Sequence, residues 1–281
     1  MKQPFKKAVI VAKPHQDLVF HLEKTLTVLK RFNVAYTLEQ TAAELLQSRE
    51  YCARDDIARD TDLIIVLGGD GTFLSVARQA VEAQVPVAGF NLGTLGFLTE
   101  MKKEFLEESL ADILEGKAKV SRRKLLQIDY QNRVYTALND VVVNKGAIAR
   151  VVKLLLKIDG ARVAEVKGDG LIVSTPTGST AYSIAAGGPI VSPEVNGIII
   201  TPICPHALTF RPLVVRDGTT ITVQLLTQNM DAFVTIDGQT VLPLDYEGML
   251  SVGIYPKQLH MLVTPEINYF QLLADKLNWG M

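Results

Sequence analysis

The chain has 281 residues, of which 48% are hydrophobic and 21% are charged, so it can bury a substantial core and is long enough for two domains. Its formal net charge of −1 argues against a general nucleic-acid binder, because phosphate backbones are held by an excess of Lys and Arg. No apolar run reaches the roughly 18 residues of a membrane-spanning helix, so we expect no membrane partner and a location in the cytoplasm.

The first third of the sequence alternates between strand patterns and helix patterns. Leucines recur at helical spacing from Leu18 to Leu29, and LIIVL at 63–67 is the clearest buried strand, because Gly68 and Gly69 end it. This alternation predicts an α/β domain with a mainly parallel, Rossmann-like sheet that is covered on both faces. The predicted strands are 8–12, 34–38, 63–67 and 86–90, and the predicted helices lie at 18–29, 42–46 and 73–83.

From about residue 118 the helix patterns give way to short strands. Turn signals such as Asp217-Gly218 and Asp237-Gly238 separate them, which is typical of an all-β, sandwich-like domain. We therefore predict an α/β domain at 1–120, a β-rich domain at 121–265, and a C-terminal tail at 266–281 that packs back on the first domain. The strands expected in the second domain are 125–130, 134–138, 141–143, 153–158, 162–166 and 171–174, then TTITVQLL, AFVTI, LSVGIY and LHMLV; helical spacing returns at 269–279.

The run Gly68-Gly69-Asp70-Gly71-Thr72 lies between a predicted strand and a predicted helix, where open α/β sheets bind ligands. Its glycines allow unusual backbone angles and close approach of a ligand, and the N–H groups at the helix start favour phosphate. We predict a phosphate loop formed by Gly68, Gly69, Gly71 and Thr72. Beside it, Asp70 can orient an attacking hydroxyl and accept its proton during phosphoryl transfer. The alternative is a tight turn with an N-cap.

Two further segments carry polar groups that suit a ligand. The glycine-rich loop NLGTLGFL at 91–98 follows the next strand at the same sheet edge, and is either a ligand contact or a loop with hydrophobic anchors. Asn139-Asp140 separates two predicted strands. An amide beside a carboxylate can contact a base edge and a ribose diol, although the same pair also forms turns.

The densest polar segment is STPTGSTAYS at 174–183, which follows Lys167-Gly168-Asp169-Gly170 and a short apolar strand. Six of the nine residues at 175–183 carry hydroxyl groups, and Tyr182 adds a flat ring that can stack on a base. The segment predicts a ligand-binding loop, with a polar connection between strands as the alternative.

Together these segments resemble the NAD kinase family. GGDGT at 68–72, NLGTLGFL at 91–98, ND at 139–140 and GDGLIVSTPTGSTAYS at 168–183 stand in the family's order and spacing, and AGGPI at 186–190 and DGQ at 237–239 fit as well. GGDGT alone also occurs in diacylglycerol, sphingosine and phosphofructokinase-type kinases, whereas STPTGSTAYS is specific. The match extends from about residue 63 to 240, and the preceding residues match only in pattern.

The resemblance implies transfer of a phosphoryl group from ATP to the adenosine ribose 2′-hydroxyl of NAD, with Asp70 as the proton acceptor. It also implies that the β-rich domain binds NAD, that a divalent metal, Mg²⁺, is carried on ATP, and that the chain forms a homodimer or homotetramer. The residues that it places in contact with NAD are Asp70, Gly71, Asn139, Asp140, Arg150, Lys167, Asp169, Thr180, Ala181, Tyr182, Ser183, Ile184, Ala185 and Gln239.

Two positions depart from the family pattern. Many members have Asn-Glu where this chain has Asn139-Asp140, which keeps the charge but shortens the reach. Lys167 is often Arg in the family, which bears on the preference between NAD and NADH. No dedicated protein metal site is predicted, because the two cysteines and four histidines have no ligand spacing.

Two rival functions remain compatible with parts of the sequence. A lipid kinase uses the same GGDGT turn, but the hydroxyl-rich second motif suits a nucleotide better than a lipid. A non-catalytic NAD(P)-binding protein is the other rival, and the presence of Asp70 favours an enzyme.

Overall fold

The computed structural model describes residues 4–93, 96–146, 151–228, 231–265 and 268–278. The chain divides into two compact units. The first consists of Met1–Arg122 together with the segment that begins at Leu259, and the second is Arg123–Gln258. None of the helices in the described ranges is long and apolar enough to span a bilayer.

In chain order, the strands are β1 (Lys7–Ala12), β2 (Ala35–Leu38), β3 (Leu63–Gly68), β4 (Val87–Asn91), β5 (Met101–Lys102), β6 (Lys119–Arg123), β7 (Leu126–Tyr130), β8 (Arg133–Ala137), β9 (Asp140–Lys145), β10 (Val152–Ile158), β11 (Ala161–Gly168), β12 (Gly170–Ser174), β13 (Gly197–Ile203), β14 (Leu213–Arg216), β15 (Ile221–Leu225), β16 (Ala232–Ile236), β17 (Thr240–Pro243), β18 (Met249–Ile254) and β19 (Leu259–Val263). The helices are α1 (Val19–Arg31), α2 (Gln40–Leu45), α3 (Asp70–Ala83), α4 (Leu106–Leu114), α5 (Tyr182–Ala185) and α6 (Tyr269–Leu277).

The first unit contains a sheet of order β2-β1-β3-β4-β19-β6, with β5 beside β4. The pairs β1–β2, β1–β3, β3–β4, β4–β5 and β4–β19 are parallel. One face packs on apolar residues of α1 and α4, such as Leu22 and Leu110. On the other face Phe73 of α3 fills the space over Gly89, where a Cβ would lie 2.8 Å from the ring. The predicted parallel sheet with helices on both faces is confirmed.

The interpretation of LHMLV as a strand of the second domain is wrong. This segment is β19, which lies parallel to β4 in the first sheet and pairs Met261 with Val87. Its short apolar run has the same composition as the strands before it, so the pattern does not indicate which sheet it joins. The return of β19 brings α6 into the first unit.

The second unit consists of two antiparallel sheets. Their orders are β11-β10-β15-β18-β7-β8 and β14-β13-β12-β9-β16-β17. Inward residues of both sheets, for example Leu154 and Val223 from the first and Val143 and Ile200 from the second, form one apolar core. The predicted all-β sandwich is confirmed, and β13 is a central strand that the sequence analysis did not predict. On the outer face of the second sheet, Val142 and Ile172 form a smaller apolar cluster.

Candidate active site

Asp70 lies where β3 ends and α3 begins. Strands β3 and β4 are parallel neighbours whose last residues, Gly68 and Asn91, are paired, so the two glycine-rich loops start side by side. The Asp70 carboxylate accepts hydrogen bonds from the second loop. The donors are the backbone N–H groups of Phe97 (2.9 Å), Leu98 (3.0 Å) and Thr99 (3.1 Å) and the Thr99 hydroxyl (3.2 Å). Asp70 therefore anchors this loop as well as occupying the predicted catalytic position.

The glycines of the first loop provide space rather than unusual backbone angles. Gly68, Gly69 and Gly71 all avoid the left-handed region, so the prediction of unusual angles is wrong. A Cβ at Gly69 or Gly71 would meet nothing within 4 Å, so the space beside the turn is open. At Gly96 a Cβ would lie 1.9 Å from Asp70 Oδ1. The second loop can therefore reach the carboxylate only because residue 96 lacks a side chain.

A pocket of about 420 Å³ opens beside Gly68 and Gly69 in the first unit. Burial and the positive charges of Lys103 and Lys24 lower the pKa of His21 in its wall. Lysine side chains next to glycine amides at a helix start suit a ligand with several negative charges. We call this pocket the anion pocket; it is lined by Lys13, His15, Asp17, Leu18, His21, Gly68, Gly69, Asn91, Leu92, Gly93 and Lys103.

The side chains of the first unit that could act as metal ligands indicate how a metal would be held. Among the residues that the structure describes, no three His, Cys, Asp or Glu side chains are grouped to hold a metal ion. The anion pocket contains one carboxylate, that of Asp17. Mg²⁺ in phosphoryl-transfer sites is held by substrate phosphates and one or two carboxylates. This pocket therefore fits a metal that arrives on the phosphates rather than one caged by protein side chains.

The second unit has a pocket of about 270 Å³ on the outer face of the sheet that contains β9 and β16. Asp140, Val142 and Asn144 alternate along β9 and line its floor, since alternate residues of a strand share a face. Asn139, Ala181 and Tyr182 lie in the same wall, so the structure brings together four predicted NAD contacts. We call this the sandwich pocket, and its remaining lining residues are Thr235, Asp237 and Gly238.

Asp237 holds the Asn139-Asp140 segment in place. Its carboxylate accepts hydrogen bonds from the backbone N–H groups of Leu138 (2.8 Å), Asn139 (2.7 Å) and Asp140 (3.1 Å). Asp237 and Gly238 have φ values of 50° and 66°, which is the type I′ hairpin turn that the Asp-Gly pair predicts. The sequence analysis identified the turn but missed the role of its carboxylate.

Asp140 is a buried carboxyl group, only 5% exposed, in the floor of the sandwich pocket. Burial and then the negative charge of Asp237 raise its pKa to about 7. Burial raises the pKa of Asp237 too, but its three backbone N–H partners stabilise its ionised form. Below that pKa, the proton of this pair therefore resides on Asp140. A carboxyl group that changes charge near neutral pH inside a pocket is typical of functional sites.

Asn144 is a candidate contact that the sequence analysis missed. Its side-chain Oδ1 is buried and has no hydrogen-bond partner among the described residues. Such buried unpaired atoms are rare, and this one belongs to a residue of the pocket floor. The sequence feature that could have identified Asn144 is its spacing along one strand. It lies two residues after Val142 and four residues after Asp140, so the three side chains share a face.

The hydroxyl-rich loop after β12 uses much of its polarity to hold its own shape. Thr175, Ser179 and Ser183 bond internally, and Ser183 is fully buried, whereas Tyr182 is 49% exposed and lines the sandwich pocket. The predicted role of Ser183 is therefore limited to its backbone or to support of the loop. The bonds join Thr175 Oγ1 to the Leu138 carbonyl (2.6 Å), Ser179 Oγ to the main chain of Val191 (3.1 Å) and Ser183 Oγ to Thr201 Oγ1 (2.9 Å).

The Gly178→Ala substitution tests how tightly this loop packs on the Asn139-Asp140 segment. A Cβ at residue 178 would lie 2.1 Å from the Asn139 carbonyl oxygen, so the backbone must shift. We expect the free energy of unfolding to fall by about 2 kcal/mol in urea denaturation. Gly253→Ala is the matched control, because a Cβ there meets nothing within 4 Å and should be neutral or slightly stabilising. Equal stability of both variants would contradict the packing argument.

The other described residues among the predicted NAD contacts do not line the sandwich pocket. Asp169 forms an ion pair with Lys145 at 2.8 Å, while Lys167 and Gln239 are exposed. Thr180 ends the short helical segment that precedes Tyr182, and Ile184 and Ala185 lie in α5, which begins at Tyr182. Arg150, and Thr94 and Leu95 of the second loop, lie outside the described residues.

An α/β unit with a carboxylate beside an anion pocket, followed by a β-sandwich with its own ligand pocket, defines the class of protein as a two-domain phosphotransferase. The profile of the ATP-NAD kinase N-terminal domain matches residues 9–118, and that of the C-terminal domain matches residues 138–263. The chain belongs to the ATP-NAD kinase family. This confirms the resemblance found in the sequence motifs, and makes the chain a kinase.

Individual relatives agree over nearly the whole chain. The chain is 40% identical to the NAD kinase of Geotalea daltonii, over 98% of this chain and 99% of that relative. The crystal structure of yeast NADH kinase complexed with NADH has a TM-score of 0.86 at 26% identity and covers 99% of this chain and 89% of that one. An NAD kinase from Archaeoglobus fulgidus in complex with ATP has a TM-score of 0.80 at 27% identity, covering 97% and 98%.

Proposed function

We propose that the chain transfers the γ-phosphoryl group of ATP to the adenosine ribose 2′-hydroxyl of NAD, giving NADP. The observation that carries the proposal is Asp70, a carboxylate at the junction of a parallel strand and a helix, one residue from glycines that line a lysine-containing pocket. Membership of the ATP-NAD kinase family supports it. The solved relatives support the ligands, since one is complexed with NADH and another with ATP.

The donor triphosphate is assigned to the anion pocket. Lys13 and Lys103 supply positive charge there, and Gly69 leaves the backbone open to phosphate oxygens, since a Cβ at that position would meet nothing within 4 Å. Mg²⁺ bound to the donor would neutralise charge on its phosphates, with Asp17 as the nearby carboxylate. Of the predicted phosphate loop, Gly68 and Gly69 line this pocket, and Gly71 and Thr72 form the first turn of α3.

The acceptor dinucleotide is assigned in part to the sandwich pocket. Its volume of about 270 Å³ is slightly below the range of whole small-molecule sites, so it suits one nucleoside end of NAD rather than the entire molecule. Asn139 offers an amide to a base edge, Asp140 a carboxyl group to a ribose hydroxyl, and Tyr182 a ring to a base. The remaining part of NAD has predicted contacts that stay predictions, namely Lys167, Asp169, Gln239 and Arg150.

The chemical step requires one proton acceptor and one leaving group. The 2′-hydroxyl oxygen forms a bond to the γ-phosphorus while the bond from that phosphorus to the β,γ-bridging oxygen breaks, and its electron pair leaves with ADP. The hydroxyl proton passes to the Asp70 carboxylate. Three of the four hydrogen bonds to that carboxylate end on Oδ1, and Oδ2 accepts only the one from the Phe97 N–H, so Oδ2 keeps a lone pair for the substrate hydroxyl.

The most direct test pairs each acceptor with each donor. The purified chain is incubated with NAD, NADH or diacylglycerol, and with ATP or polyphosphate, in the presence of Mg²⁺. We expect NAD and ATP to give NADP. The product is measured with a dehydrogenase that uses NADP but not NAD. Phosphorylation of diacylglycerol alone would establish the lipid-kinase rival, and dinucleotide binding without turnover would establish the binding-protein rival.

Tyr182→Ala tests the acceptor assignment. Removal of a half-exposed ring from the pocket wall deprives the base of a stacking surface, so the KM for NAD should rise about tenfold. The KM for ATP should change by less than about twofold, because the donor is assigned to the first unit. Initial rates with each substrate varied in turn measure both. Exposed Tyr246, which lies outside this pocket, provides the matched Tyr→Ala control.

The expected cytoplasmic location and the homodimer or homotetramer stay predictions. Size-exclusion chromatography with light scattering of the purified chain measures the oligomer directly.

A further inference from the structure

The C-terminal helix brings a cation to Asp70. Lys276 of α6 has its Nζ 3.9 Å from Asp70 Oδ2 and 4.4 Å from the centre of the Phe97 ring. Its side chain is 28% exposed. No motif in the sequence pointed to this residue, because it lies about two hundred positions after Asp70.

Three features hold Lys276 at this place. The Asn268 side chain caps α6 by accepting a hydrogen bond from the Phe270 N–H at 2.9 Å. Leu272 and Leu273 are buried on the opposite side of the helix from solvent. The Tyr269 ring lies 6.4 Å from that of Phe97, the residue whose N–H also binds Asp70. Helix, second loop and carboxylate are therefore parts of one cluster.

A purely structural role explains this arrangement poorly. At 3.9 Å the ion pair is at the outer limit of such contacts, and both side chains are about 30% exposed, so the pair contributes little to stability. Asp70 already accepts four hydrogen bonds and does not need Lys276 to remain satisfied. Among the described residues, the Lys276 ammonium has this ion pair and the Phe97 ring as its contacts, so its donors are available to a ligand.

We propose that Lys276 is a further catalytic residue, whose ammonium group binds a non-bridging oxygen of the phosphoryl group during its transfer. This inference rests on the proposed function. A general base lies about 2.6–3.2 Å from the hydroxyl that it deprotonates, and that oxygen starts about 3–3.5 Å from the phosphorus. A cation 3.9 Å from the same carboxylate is therefore within reach of the phosphoryl oxygens.

The chemistry needs a cation at this point. Charge is spread over the three equatorial oxygens in the transition state, and fixed cationic donors aimed at them lower the barrier. Lys276 donates hydrogen bonds and transfers no proton: the proton goes to Asp70 and the leaving electron pair goes to ADP. Cation–π contact with Phe97 restricts the flexible lysine to this position before the substrates bind.

The test compares Lys276→Ala, Lys276→Arg and Asp275→Asn in the full-length chain. We expect Lys276→Ala to lower kcat about a hundredfold with less than a threefold change in the KM for NAD, because the contact forms in the transition state. Lys276→Arg should recover at least a tenth of the native kcat. Asp275→Asn changes an exposed neighbour whose partner is Gln271, and should leave kcat unchanged.

The unfolding midpoint separates catalysis from structure. It should be nearly the same in all three variants. A native kcat in Lys276→Ala overturns the proposal, and so does a loss of activity that accompanies a lowered midpoint and that arginine fails to recover. If the native chain makes no NADP, the proposed function is wrong. If the native chain makes NADP and Lys276→Ala makes it at the same rate, only the inference about Lys276 is wrong.

Discussion

Asp70→Asn is expected to lower kcat for NADP formation about a thousandfold, because asparagine cannot accept the proton of the attacking hydroxyl. The side chain keeps its size and one acceptor oxygen, which can still receive the N–H groups of Leu98 and Thr99. The bond from Phe97 is lost, so the free energy of unfolding should fall by about 1 kcal/mol. Single-turnover rates and thermal unfolding of the same preparation measure both effects.

The loop contacts of Asp70 require a second variant, since a loosened loop could also reduce activity. Thr99→Val removes the hydroxyl that donates to Asp70 at 3.2 Å and accepts from Asn91 at 2.9 Å, but keeps the carboxylate. If proton acceptance is the role of Asp70, Thr99→Val should reduce kcat less than about tenfold. A loss equal to that of Asp70→Asn would assign the effect to loop anchoring and remove Asp70 as the base.

The position of Asp70 could be predicted, but its partners could not. A run of apolar residues followed by glycines placed GGDG at a strand end, and the next strand placed NLGTLGFL at the same edge. The hydrogen bonds from Phe97 and Thr99 depend on the path of a loop whose glycines are compatible with many conformations. The position of Lys276 is even harder to predict from the sequence, because only the pairing of β19 with β4 brings α6 to this site.

In the sandwich pocket, too, the residue types could be predicted from the sequence but their contacts could not. Asn139-Asp140 and Tyr182 were singled out by residue type, and the Asp237-Gly238 turn by its sequence. The contact between Asp237 and the Asn139-Asp140 segment depends on the antiparallel register that pairs Ile236 with Val141. Strand register is a long-range property that apolar alternation constrains only to one face or the other. Asn144 was missed for the same reason.

The hydroxyl-rich loop was interpreted too simply. Its density of Ser and Thr indicated ligand donors, yet Thr175, Ser179 and Ser183 bond within the protein. A loop on the outer face of a sheet must satisfy its own backbone groups, and short hydroxyl side chains are the residues that do so. What the composition predicts is therefore a loop of defined shape that presents Tyr182.

If the sandwich pocket binds the dinucleotide as proposed, its carboxyl pair should make that binding depend on pH. The pKa of Asp140 is raised to about 7, first by burial and then by the charge of Asp237. An ionised carboxylate accepts hydrogen bonds from ribose hydroxyls, so the KM for NAD should fall as the pH rises through 7. Folding responds in the opposite direction: the stability contributed by this raised pKa is fully present below the ordinary value of 3.8 and is lost as the pH rises through about 7.

Asp237→Asn removes the second cause of that shift and keeps one acceptor oxygen for the N–H groups of Asn139 and Asp140. With the neighbouring charge removed, the pKa of Asp140 should fall, and the inflection in the KM for NAD should move to lower pH. Asp129→Asn is the control and should keep the native profile, because Asp129 is an exposed carboxylate of the same unit whose side-chain partner among the described residues is Gln127. A KM that does not vary across neutral pH, or one whose inflection is unchanged in Asp237→Asn, would refute the coupling.

Asp237→Ala should be far more damaging than Asp237→Asn, because it leaves the N–H groups of Leu138, Asn139 and Asp140 without their acceptor. Unpaired buried donors each cost about 1–3 kcal/mol, partly offset here by water and by relief of the charge on Asp140. We expect a fall of about 3 kcal/mol in the free energy of unfolding and at least a tenfold rise in the KM for NAD. Because the proposal assigns ATP to the anion pocket of the other unit, the KM for ATP should be nearly native at a temperature where the variant is folded. If both KM values rose together, the carboxylate would be a general determinant of folding rather than the support of the sandwich pocket.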